Sequence, residues 1–220
     1  MKAGQKMTTK QGVEVVLFPW EYMYMSQDEG GDTSHIGTYN LDFLGWGENG
    51  RVNQCPFYAP CTLRCVAIWD PSSNTRVWQS VNEVLFADGH TGILTISFSH
   101  DDNPVHNVGD IVAQGELLGH TGNTGISYGD HCHTCTGSGA YSGFTQRGTV
   151  IIDEKVVPLY DLTNRCHYWD ACFVNDTTIV EGYNHPWLEY SGGVVPPGPT
   201  PGGIKRKKFP WVLYANKLRG

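Results

Sequence analysis

Twenty-seven glycines cut this 220-residue chain into short apolar runs, and that punctuation constrains the fold more than any other feature. With few helix formers between the glycines, the pattern points to an all-β or mainly β fold. Residues 13–18 (Val-Glu-Val-Val-Leu-Phe) read as an opening strand. The stretch Tyr39 to Leu44 returns to an apolar pattern around Asp42 after a polar, Gly-rich loop over residues 26–38. Residues 56–68 read as a turn followed by strands, Trp78 to Phe86 as another strand, and 88–92 as a turn between two strands. Ile93 to His100 alternates at period two, which predicts a strand ending at His100. Residues 107–115 hold a short strand, and 146–190 hold further strands with a short helix near Tyr160 to Cys166.

The length suits one compact domain with appendages, or at most two small domains. Residues 1–190 are expected to form the domain, 191–203 a Pro/Gly-rich linker, and 204–220 a basic, aromatic tail. The tail carries +6 from Lys205, Arg206, Lys207, Lys208, Lys217 and Arg219, against −7 for the whole chain, which leaves −13 on the rest. No uninterrupted apolar run reaches 18 residues, so no transmembrane helix is expected. The first residues lack the apolar core of a secretory signal. If the protein acts outside a cell, it is expected to be made in a cytoplasm and to leave by another route, such as lysis or assembly into a virion. Seven cysteines cannot all pair within the chain, and mostly free thiols are expected.

Chemistry concentrates at Gly129-Asp130-His131-Cys132-His133. In a strand, residues two apart share a face, so both imidazoles could reach one ion or one substrate while Cys132 points away. A bare His-x-His is weak. It gains weight from the glycine-rich turn of residues 119–125, and from His35, Asp42 and His100 upstream. A zinc ion that does chemistry usually takes three protein ligands and leaves a fourth position to water. His35, Asp42 and His133 would supply two imidazoles and a carboxylate, leaving His100 and His131 free to handle protons.

Four pieces in order resemble the zinc endopeptidases of the lysostaphin/LytM type, the M23 peptidases, which cut peptide cross-links in peptidoglycan. They are Ser34-His35-Ile36-Gly37 with Asp42; Ile93 to His100; Val108 to Gly119, similar to that family's Gly-Asp-x-Val-x-x-Gly-x-x-x-Gly stretch; and Gly122-Asn123-Thr124-Gly125 leading to His131-Cys132-His133. Together they cover about residues 34–135. The resemblance implies an antiparallel β-sheet core with a groove, long loops and few short helices. It makes His35, Asp42 and His133 zinc ligands, and His100 and His131 the catalytic pair.

Three departures stand out. Six residues separate His35 from Asp42, where the family usually has three. Positions seven apart in a strand face opposite sides, so the backbone must bulge or loop there, and Gly37 suits that. Phage-borne relatives are similar in this longer spacing. Cys135 lies two residues beyond His133, where it is expected to pack beside the site. Asp130 precedes His131, either orienting a histidine or lying in the turn.

The expected function is a zinc metalloendopeptidase of peptidoglycan, phage-encoded, as an endolysin or tail-associated lysin. The tail could bind anionic wall polymers or a virion protein. The alternative is a catalytically inactive LytM-like wall-binding or regulatory module.

Overall fold

The computed structural model describes residues 1–31, 33–152, 154–180 and 187–192. Seven strands cross an antiparallel sheet in the order Ile111–Val112, Leu63–Asp70, Thr75–Ser80, Leu94–Ser99, Cys132–Ser138, Leu41–Phe43 and Met25–Gln27. An eighth, Arg165–Cys166, pairs with the far end of Cys132–Ser138. The fold is mainly β and antiparallel, as the sequence predicts, with one short α-helix among the described residues, Tyr168–Ala171.

The strand pleat divides the sheet into two unlike faces. Leu94, Ile96 and Phe98 join Leu41, Phe43 and Cys132 in the main apolar core. That core includes an aromatic cluster, with Phe57 stacked on Phe98 at 4.6 Å and Trp20 against Phe43 at 5.0 Å. Each such buried side chain stabilises the fold by about 1.5–3 kcal/mol. Thr95, Ser97 and Ser99 point to the other face, which also carries Asp42, His133 and Cys135. All six residues of the Leu94–Ser99 strand are buried, although their alternation suggests one solvated face. A long hairpin, Phe144–Ile152 with Lys155–Leu162, covers part of that second face. Its Leu162 and Phe144 pack on Val77 and Cys135.

Three sequence expectations need correction. Residues 13–18 form no strand. Val15 and Leu17 make single bridges to Leu85 and Phe173, because the segment threads the core and meets a different partner at each step. The strand expected over Trp78 to Phe86 starts earlier, at Thr75, ends at Ser80, and resumes as Val84–Leu85. The helix expected near Tyr160 to Cys166 is strand, turn and strand instead. The helix begins at Tyr168, where the Glu29 carboxylate accepts the Tyr168 N–H at 2.9 Å and supplies a cap from 139 residues away;.

All seven cysteines are free thiols. No helix among the described residues is long and apolar enough to cross a membrane. The tail, and the linker beyond Gly192, lie outside the described residues.

Candidate metal centre

Strand register delivers two of the predicted ligands. His133 lies opposite Ser99 on one side and opposite Asp42 on the other, so Asp42 and His133 project from the same face of neighbouring strands. His35 arrives from the loop between Met25–Gln27 and Leu41–Phe43, two strands that pair with each other. Gly37 takes φ +75 in that loop, a left-handed conformation that glycine adopts without strain;. The loop thus accommodates the six residues between His35 and Asp42. Asn40, nearer to His35 in sequence, turns away and donates to the Tyr160 carbonyl at 2.8 Å.

The three donor atoms converge. His35 Nε2 lies 3.2 Å from His133 Nδ1, His133 Nδ1 lies 2.9 Å from Asp42 Oδ1, and Asp42 Oδ1 lies 3.3 Å from His35 Nε2. Zinc bonds of about 2.0–2.1 Å to imidazole nitrogen and carboxylate oxygen place neighbouring ligands of a tetrahedron about 3.3 Å apart. The donor set therefore fits a zinc ion on one triangular face. The tautomer of His35 suits this, because its Nδ1–H donates to the Asp28 carbonyl at 3.1 Å and leaves Nε2 with a lone pair;. His35 is fully buried. Burial opposes ionisation of Asp42, but the neighbouring His35 and His131 and the bonds from His133 and His35 outweigh it. They hold the carboxyl well below its usual range. Burial pushes the His133 imidazole down, against the pull of Asp42, and so favours the neutral ring a metal needs.

His100 and His131 stand beside this triangle with ring centroids 4.6 Å apart. His131 Nε2 is 3.8 Å from Asp42 Oδ1. His131 Nδ1 donates to the Gly129 carbonyl at 2.8 Å, and His100 Nδ1 donates to the Thr124 carbonyl at 2.8 Å. In the neutral rings this leaves each Nε2 with a lone pair;. Burial, reinforced by His131 and His133, pushes His100 down to about 4, so the ring is neutral at physiological pH. His100 has φ 76, an uncommon conformation for histidine;. Its N–H bonds the Ser73 carbonyl at 2.8 Å, and its carbonyl accepts the Thr124 N–H at 3.2 Å. The loop comes this close only because residue 122 is glycine: a Cβ there would lie 2.1 Å from the His100 carbonyl oxygen.

All five predicted residues thus meet in one place. Asp130 contacts no histidine. Its carboxylate accepts from the Thr121 hydroxyl and, at 2.8 Å, from the Gln54 N–H, so it holds the turn. Cys135 is buried, with its sulfur 3.1 Å from the Ser97 hydroxyl, and packs beside the site.

Sequence reasoning missed the clamp on the His35 loop. Glu29 Oε2 bonds His167 Nδ1 at 2.6 Å. Tyr39 is sandwiched between the His167 ring, at 4.0 Å, and the Arg165 guanidinium, at 4.1 Å. Arg165 pairs with the buried Asp161 at 3.1 Å and donates to the Gly37 carbonyl at 2.8 Å. Asp161 also accepts the Tyr39 N–H at 2.8 Å. Asp161 and Arg165 are only four residues apart, but Glu29 and His167 come from opposite ends of the chain, so no local spacing signals their bond.

No family model matches the chain. Morphogenesis protein 1 of Bacillus phage B103 is 34% identical over 176 residues, which is 80% of this chain but 44% of that protein. The chain thus spans less than half the length of this curated relative. Among solved structures, the catalytic domain of lysostaphin from Staphylococcus simulans aligns with a TM-score of 0.39 at 20% identity, covering 54% of this chain and 80% of that one. A zinc-containing peptidase from Vibrio cholerae aligns with a TM-score of 0.39 at 14% identity, covering 60% and 42% respectively. At these scores neither likeness assigns the chain to a family.

Proposed function

We propose that this chain is a zinc metalloendopeptidase that hydrolyses the peptide cross-links of bacterial peptidoglycan, and that it is phage-encoded. The observation that carries the reading is the triangle of His35 Nε2, Asp42 Oδ1 and His133 Nδ1, with edges of 2.9–3.3 Å and two further imidazoles alongside. A purely structural cluster has no need to commit two extra histidines to the same tautomer at the edge of a ligand set.

His35, Asp42 and His133 would hold the ion. Bound there, zinc supplies Lewis acidity toward a carbonyl oxygen and makes a water molecule more acidic. One of His100 and His131 would accept the proton of the attacking water on its Nε2 and hand that same proton to the departing amine, while the Nε2 of the other would accept a hydrogen bond from the same water and orient it. The Nδ1–H bonds to Thr124 and Gly129 keep both rings turned for that task. The burial of His35 and Ser99 would limit water beneath the bound ion and strengthen its electrostatics;.

The name of the B103 relative, a morphogenesis protein, favours a virion-borne lysin over a free endolysin. The basic tail would then meet a virion protein or anionic wall polymers.

The test uses purified full-length protein and cell walls of several cross-link chemistries. About one zinc per chain is expected, with release of new amino groups from at least one wall type. His131→Ala should keep zinc and stop release, and His133→Ala should lose both. A fully zinc-loaded wild type that releases no amines from any wall contradicts the reading, and leaves a wall-binding module.

A further inference from the structure

His100 and His131 come from separate strands ends, yet one loop sets the tautomer of both. His100 Nδ1 donates to the carbonyl of Thr124, and His131 Nδ1 donates to the carbonyl of Gly129. Residues 123–129 are therefore the shared mount of the pair.

The mount is pinned at its start by a single carboxylate. Asp102 Oδ1 accepts the Asn123 N–H at 2.9 Å and the Thr124 hydroxyl at 2.8 Å. The second of these fixes the residue whose carbonyl orients His100. The first fixes Asn123, whose side-chain oxygen in turn accepts the Gly129 N–H at 2.9 Å and the Ser127 hydroxyl at 2.8 Å. The same Ser127 hydroxyl lies 3.2 Å from His131 Nδ1. A continuous path of hydrogen bonds thus runs from Asp102 to each ring, short to His100 and longer to His131.

We propose that Asp102 is a positioning residue that fixes His100 and His131 together in the Nδ1–H tautomer. The inference rests on reading those histidines as the proton-handling pair. Asp102 touches neither ring and none of the three candidate ligands in these contacts. Its loss should spare metal binding while releasing both imidazoles at once. A carboxylate that served the loop only as a structural cap would leave the tautomers alone.

The experiment is a long-range proton–nitrogen correlation spectrum of the zinc-loaded full-length protein, which separates the two neutral imidazole tautomers. Wild type should show His100 and His131 as Nδ1–H. Asp102→Ala should populate the Nε2–H form at both residues. Its kcat on walls should fall on the order of tenfold or more, with zinc content and KM held. Asp102→Asn keeps an oxygen acceptor at the same place and should restore the wild-type pattern. Asn123→Ala retains its backbone N–H to Asp102 but loses the oxygen that gathers Gly129 and Ser127. It should change His131 and spare His100, and it stands in if Asp102→Ala fails to fold. Unchanged tautomers in Asp102→Ala, or an unchanged His131 in Asn123→Ala, would overturn the proposal. Tautomers that shift in a protein with no wall activity would support it while refuting the peptidase reading.

Discussion

Asp42 and His133 are held by strand register, whereas His35, His100 and His131 are held by loops pinned with carboxylates. The first pair sits inside an antiparallel ladder, opposite one another, where a one-residue slip would turn every side chain to the wrong face;. The loop residues have no ladder. Glu29 and Asp161 clamp the His35 loop, and Asp102 and Asp130 pin the two ends of the loop that orients His100 and His131. The sheet therefore places two of the three candidate ligands. The loops bring in the third candidate ligand and two further imidazoles, held by polar contacts that single substitutions can remove.

Substitutions on the two sides should separate metal binding from chemistry. His133→Ala, on the ladder, should abolish zinc binding and activity together. His100→Ala, on the loop side, should keep about one zinc per chain while the rate falls about 10²–10⁴-fold, as expected for loss of a general acid or base. Metal analysis beside the amine-release assay reads both. Equal zinc loss in the two variants would erase the distinction.

Glu29→Ala probes the clamp. It removes the acceptor of the Tyr168 N–H and the carboxylate bond to the His167 ring, which should cost about 1–3 kcal/mol of stability;. The loosened His35 loop should weaken zinc affinity roughly 10–100-fold, while Asp42 and His133 stay in register. A chelator-competition titration measures this. Unchanged affinity would show that strand register alone organises the ligands.

The smallest effect concerns the buried thiols of the core. Burial pushes the Cys132 and Cys61 thiols well up and raises Cys166 to about 12. Folded values above the unfolded one mean that this stability is complete below the unfolded thiol range, near pH ~8.5. It declines as pH climbs from there toward the folded values, because only the unfolded chain ionises. The Tm should therefore drop between about pH 8 and about pH 10. Iodoacetamide should also label native protein slowly at pH ~8, since the thiolate is the reactive form. A flat melting profile over that range would contradict the account of the core.

Much of this arrangement is written in local sequence. Period two puts His131 and His133 on one face and Cys132 on the other, and the pleat of Cys132–Ser138 obeys it. The glycines at 37, 122 and 125 mark the turns that bring the loops in. Other parts have no local signature. Val15 to Phe18 look like a strand because they are apolar and open with two β-branched valines, but burial on every side sends their backbone groups to several partners. Glu29 and His167 are 138 residues apart, and nothing near either one announces the bond. Aspartates are rarely fully buried unless paired, yet Asp161 is fully buried against Tyr39 and Arg165.

The central claim is that His35, Asp42 and His133 hold zinc. X-ray absorption at the zinc edge of the purified full-length protein tests it most directly. The account predicts a nitrogen and oxygen shell near ~2.0–2.1 Å with imidazole scattering from two histidines, lost in His133→Ala. A sulfur shell near ~2.3 Å, or an unchanged spectrum in His133→Ala, would contradict it.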